Sequence, residues 1–200
     1  MQRRASKVDD TRRRITEAAV GLHTTVGPSE TSFAAVAEAA GVTRLTLYRH
    51  FATRDELFAA CMSHWRAQHP PPDVDAWRRI RSFEARLRLA VDELYRWYSE
   101  NGDDLYPLYR DAAFTPSTTH RARRENIERM ADAILGRRSG HAVRAAIGHV
   151  LAFWTWRSLA IDEGSSHGEA VDLAVRFVLA AARATWSIWP QGSVPSRTTR

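Results

Sequence analysis

The sequence predicts an all-α protein, a small N-terminal helical domain followed by a larger C-terminal one, with about nine helices. Three observations carry this expectation. Apolar residues recur at three- and four-residue steps nearly throughout, whereas period-two alternation between turn signals is hard to find. Pro70-Pro71-Pro72 halts any helix and marks the domain boundary. With 200 residues, the chain can bury a core in one large domain or two small ones.

The elements follow in order. Ile15, Ala18, Ala19, Leu22 and Val26 make a first stripe, closed by Gly27-Pro28. Phe33, Val36, Ala37 and Ala40 make a second, stopped by Gly41. A third short segment, Arg44 to about His50, brings Leu47, Tyr48 and Phe51 to the core. Thr53-Arg54-Asp55-Glu56 fits a capping box, in which a hydroxyl takes an amide of the first turn and a glutamate reaches back. The helix it opens carries Leu57, Ala60, Cys61, His64 and Trp65.

Beyond the prolines, Phe83, Leu87, Ala90, Val91, Leu94 and Tyr98 share a stripe, and a separate short segment holds Leu105 to Tyr109 around Pro107. A charged helix after Pro116 presents Ile127, Met130, Ala131, Ile134 and Leu135. Two long helices, near 141–162 and 168–189, close the chain. The expected division is 1–52 (with a basic tail at 1–8), a connecting helix at 53–69, a second domain at 73–189 and a flexible tail at 190–200.

Net charge is +6, spread over both halves, but the first fourteen residues alone carry six basic and two acidic side chains. Such a segment can approach phosphates. The single cysteine, Cys61, excludes an internal disulfide framework and four-cysteine zinc sites. No apolar run spans a bilayer and no signal peptide is visible, so a cytoplasmic protein without membrane contact is expected. An enzyme reading fares badly. His64 and His69 lack metal-site spacing, no glycine-rich phosphate loop occurs, and Ser165-Ser166-His167 reads as a helix start. Neither cofactor nor metal is expected.

Thr31–Ala40, the turn at Gly41-Val42 and a second helix opening at Thr43 match a helix-turn-helix. With Leu47, Tyr48 and Phe51 partly committed to packing, Thr43, Arg44, Leu45, Thr46, Arg49 and His50 are left for solvent or DNA. Arginine can donate two hydrogen bonds to guanine, and leucine can sit on a thymine methyl. Thr46, the Tyr48 hydroxyl, His50 and Arg54 suit phosphates. The alternatives are a helical protein-interaction module, or a DNA-binding regulator that answers to no ligand.

The stretch Ile15–Phe58, above all GVTRLTLYRHFATRDELF (Gly41–Phe58), resembles the DNA-binding segment of the tetracycline-repressor (TetR) family of bacterial transcription regulators. The resemblance implies a repressor with a three-helix DNA-binding domain, a connecting fourth helix, and a C-terminal domain that dimerises and holds a small ligand. By position it implies base reading at Arg44 and Leu45, with Thr43 beside them. It implies backbone contacts at Ser32, Thr46, Tyr48 and His50, a variable contact at Arg49, and a basic residue opening the fourth helix at Arg54. Ala34 and Ala35 depart from the family's more polar pattern, and His23 stands at an aromatic core position as a packed histidine.

One such reader contacts too few bases for selectivity, so a homodimer on a palindromic operator is expected, with readers about 34–36 Å apart. The last two helices are apolar on two faces and need two covers. The expected dimer face comprises His149, Phe153, Trp156, Phe177, Ala180, Ala184 and Ile188. Trp97, Tyr98, Tyr106, Tyr109, Phe114 and Trp154 are candidates to line a cavity for a small apolar or aromatic ligand, with Tyr106-Pro107-Leu108-Tyr109 as its gate.

Overall fold

A computed structural model describes the backbone of residues 2–136 and 140–183, and side chains from residue 8 onward. Ten α-helices follow one another, with no strand among the described residues. The first four are α1 (Gln2–Thr25), α2 (Phe33–Ala39), α3 (Arg44–His50) and α4 (Arg54–Gln68). Helix α1 reaches back to Gln2, so the segment expected as a basic tail is helical.

Helices α2 and α3 have seven residues each, too few to persist alone. They are held by a core of Ile15, Ala19, Val36, Ala37, Leu47 and Phe51. One side of α4, Leu57 and Cys61, completes that core; the other, Phe58 and Trp65, enters the core of the second domain. The capping box forms in slightly shifted form: Thr53 Oγ1 accepts from the Glu56 N–H at 3.2 Å, and the Glu56 carboxylate accepts from the Ala52 N–H at 2.9 Å.

The second domain contains α5 (Val74–Arg78), α6 (Phe83–Arg110), α7 (Ser117–Leu135), α8 (His141–Val150), α9 (Phe153–Arg157) and α10 (His167–Arg183). A 3₁₀ turn, Ala112–Phe114, separates α6 from α7, and a π turn, Ser158–Asp162, follows α9. Helix α5 has no counterpart in the sequence reading, being only five residues long, yet its Trp77 is fully buried.

Two sequence expectations are corrected here. Leu105–Tyr109 is not a separate broken segment, because α6 continues through Pro107 to Arg110. Three residues from the helix end, the missing N–H releases only the carbonyl of exposed Asp103, a tolerable loss. The expected gate at Tyr106–Tyr109 is therefore regular helix.

The expected single helix near 141–162 breaks at Leu151-Ala152, where Ala152 is extended. Buried carbonyls freed by a break need donors. Tyr95 donates its hydroxyl to the Val150 carbonyl at 3.0 Å and Tyr98 to that of Leu151 at 2.9 Å. At the exposed edge of the break the His149 carbonyl accepts from the Ala152 N–H at 3.1 Å and from the Thr155 hydroxyl at 2.6 Å. The break turns Phe153 and Trp156 inward, where they are 1% and 4% exposed. These two belong to the chain's own core and not to a dimer face. The last helix is described to Arg183, so Ala184, Ile188 and the expected tail at 190–200 lie outside the described residues.

Candidate nucleic-acid interface and regulatory cavity

Capping hydroxyls shape the reader. Ser32 Oγ accepts from the Ala35 N–H and Thr43 Oγ1 from the Thr46 N–H, both at 3.1 Å, supplying partners for amides that helix starts leave open. Gly41, at φ +63°, makes the turn in a conformation that side chains disfavour. Leu47 and Phe51 are fully buried and anchor α3 from beneath.

The arginine run of α1 is committed to this scaffold. Arg12 lies 4.1 Å over the Phe51 ring and donates to the His50 carbonyl at 2.5 Å, and Arg14 donates to the Ala40 carbonyl at 2.5 Å. Cations thus sit at the C-terminal ends of α3 and α2, where the helix dipole favours them. Arg13 pairs with Asp10 and Glu17. The charge of this run therefore serves folding, a role that composition does not reveal.

The outer side of α3 leaves Arg44, Leu45, Tyr48 and Arg49 exposed, Leu45 by 72%. Thr46 and His50 are half-buried, and the Thr46 hydroxyl lies 2.9 Å from that of Thr43. Ser32, Tyr48 and Arg54 share an open hollow of about 440 Å³, with the Tyr48 ring 5.1 Å from Phe33. The candidate DNA residues thus fall into two groups: an outward row on α3 and a hollow at its flank.

A buried carboxylate ties this domain to the next. Asp111, just past α6, is 6% exposed and accepts from the Ser29 N–H at 3.1 Å and the Ser29 hydroxyl at 2.6 Å. Arg110 donates to Asp111 at 2.8 Å and to the Val26 carbonyl at 2.8 Å. The Arg110 guanidinium, then Ser29, hold the carboxyl well below the usual carboxylate range. Gly27, at φ +100°, is required here, since a Cβ would lie 2.3 Å from the carboxylate. Sequence reading missed Asp111 because one acid at a helix end breaks no period. Nearby, His23 is 7% exposed with its ring 5.2 Å from Phe58, and burial lowers its pKa to about 4.

An inner cavity of about 410 Å³ lies among α4, α6 and α7. Trp97, Tyr98 and Tyr109 line it as expected. Three other candidates do not. Phe114 faces a separate crevice of about 310 Å³ between the domains, together with His23 and Arg54. Tyr106 and Trp154 pack edge-on at 6.0 Å, with Arg157 4.2 Å above the Tyr106 ring. Missing from the sequence reading were Met62, Trp65 and Arg66 of α4 and Arg123 and Arg129 of α7. Only the helix faces, not the residue types, could have pointed to them. On the outside of α8 and α10, His149, Leu173, Phe177 and Ala180 are exposed, and the His149 and Phe177 rings lie 5.6 Å apart.

An anchored, outward-facing helix on a small helical core, joined to a larger helical domain with a cavity, is an arrangement able to lay one helix in a DNA groove. Residues 15–61 match the model of the bacterial regulatory proteins of the tetR family. The fold is shared along most of the chain with solved regulators. A TetR transcription regulator from Haloarcula marismortui is 19% identical over 86% of this chain and 98% of its own, with a TM-score of 0.59. A TetR-like regulator from Rhodococcus sp. RHA1 is 22% identical over 88% and 97%, with a TM-score of 0.57. The Thermus thermophilus repressor FadR, solved with lauroyl-CoA, is 22% identical over 90% and 100%, with a TM-score of 0.55. No curated protein matches the chain. Among the described residues no helix is long and apolar enough to cross a membrane, and no three acidic, histidine or cysteine side chains cluster as a metal site.

Proposed function

We propose that the protein is a repressor that binds a palindromic operator as a homodimer and is released by a small-molecule ligand. The observation that carries DNA reading is α3 itself: Leu47 and Phe51 fix it, while Arg44, Leu45 and Arg49 project outward. A leucine 72% exposed between an arginine and a threonine is unfavourable in water and suited to a thymine methyl in the major groove. Arg44 and Leu45 read bases with Thr43 beside them. Ser32, Tyr48 and Arg54 hold phosphate, while Thr46, Arg49 and His50 are further contacts.

Dimerisation is supported by the exposed apolar residues of α8 and α10, with His149, Phe177 and Ala180 at the interface. Release is supported by the inner cavity, whose wall helix α6 ends on the Asp111–Ser29 connection, and by the lauroyl-CoA complex of the FadR relative. A ligand that prefers the released arrangement lowers operator affinity by its difference in affinity for the two states. The test is Arg44→Ala on a selected operator. Base reading relaxes preference at one position per half-site and costs about 1–3 kcal/mol. An equal loss on every sequence would mean that Arg44 touches only phosphate.

A further inference from the structure

The inner cavity has two unlike sides. Leu94, Leu105 and Leu108 give it an apolar floor, and Trp65 and Trp97 add rings. Their indole N–H groups are already engaged, Trp65 with Asp104 at 2.7 Å and Trp97 with the His69 carbonyl at 3.3 Å, so the rings offer apolar surface. Three guanidinium groups, those of Arg66, Arg123 and Arg129, share the wall with a single carboxylate, Glu125. Among the described residues none of the three forms an ion pair, though Arg129 donates to the Asn126 amide oxygen at 2.7 Å.

Arg123 is half-buried and lies 3.9 Å above the Tyr109 ring. Stacking occupies the face of a guanidinium and leaves its edge N–H groups able to grip an anion. Burial pushes the Tyr109 hydroxyl pKa up, while the Arg123 charge, then a hydrogen bond with Tyr98, then the Arg66 charge pull it back. Arg66 and Arg129 are exposed at the cavity's rim while Arg123 is half-buried, and guanidinium groups bordering an apolar wall favour a bound anion through charge-assisted hydrogen bonds.

We infer that this cavity takes an amphipathic organic anion, its apolar body against Leu94, Leu105 and Leu108 and its carboxylate or phosphate on Arg123 and Arg66. The inference rests on the cavity being the regulatory site proposed above, and it adds the chemical class of what enters.

The test titrates the full chain, without DNA, with decanoate, decyl phosphate, decanol and decyltrimethylammonium below their micelle-forming concentrations. Trp65 and Trp97 supply the fluorescence signal, and calorimetry supplies a second readout. An anion should bind about tenfold or more tighter than decanol, which is about 1.4 kcal/mol, and the cation should bind weakest. Comparing decanoate with decyl phosphate tells which head the site prefers. Arg123→Gln and Arg66→Gln should each shrink the anion-to-decanol ratio, and Arg123→Lys should restore part of it. The ratio is taken within one variant, so altered stability does not mimic the effect.

Equal or tighter binding of decanol, an unchanged ratio in both glutamine variants, or no binding of any probe would overturn the inference. Operator affinity is then measured with and without decanoate. Anion preference with no loss of operator affinity supports the ligand class and removes only the release reading.

Discussion

Asp111 and Ser29, 82 positions apart, are joined by two hydrogen bonds to one carboxylate oxygen, and through them the end of α6 holds the turn between α1 and α2. The turn leads into the helix-turn-helix and α6 is a wall of the cavity, so this connection joins the two elements on which the proposed release depends. Ser29→Ala should cost about 1 kcal/mol and Asp111→Ala about 2–3 kcal/mol in urea unfolding. The double variant should cost little more than Asp111→Ala, because both changes remove one shared interaction. Fully additive losses would show that the two residues act separately.

His23 should set part of the acid sensitivity. Its pKa is lowered to about 4 by burial first and Arg54 second, against an ordinary 6.5. The unfolded chain therefore binds the extra proton between these values, and stability falls as pH drops through that window. Between pH 7 and pH 5 the loss assigned to His23 is about 1–2 kcal/mol. The depressed carboxyl of Asp111 adds a loss only at lower pH, below its ordinary value of 3.8. His23→Phe should flatten the upper window in urea midpoints, and an unchanged slope there would count against a buried neutral imidazole.

Phe177 and Leu173, about half exposed on α10, should be covered by a second copy. Phe177→Glu should give a monomer in sedimentation at concentrations where the unmodified chain is a dimer, since an unpaired charge in an apolar contact is costly. A variant that stays dimeric would move the interface elsewhere.

Cys61 should be inert while the N-terminal domain is folded. It is 2% exposed, and burial pushes its thiol pKa up to about 12. The reactive species is the thiolate. Labelling by a thiol reagent at neutral pH should therefore be far slower than in urea, and rapid native labelling would show that the first core opens readily.

The legible parts of the molecule were those written in short-range periodicity. The stripes through Ile15 and Ala19, Val36 and Ala37, and Leu87 and Val91 place their helices correctly, because one buried face fixes 3.6-residue spacing. What failed depended on distant partners. The helix near 141–162 looks continuous until Tyr95 and Tyr98, some fifty residues earlier, supply donors to the carbonyls at its break. Phe153 and Trp156 followed that misreading onto the wrong face. Pro107 looked like a breaker because the sequence does not show how close it lies to the helix end. The cavity was half visible: tryptophan and tyrosine suggested it, but Arg66 and Arg123 sit on two different helices, α4 and α7, among many charged residues, and which of those border a cavity depends on how the helices pack.

DNA reading by a paired α3 is tested by selecting bound duplexes from a random pool with the purified chain. An inverted repeat should emerge, its half-site centres one helical turn or a whole multiple of it apart, about 34–36 Å for a single turn. Its preference should weaken when Arg44 is replaced. Recovery of unrelated sequences with no repeat, or of single half-sites bound by a monomer, would contradict it.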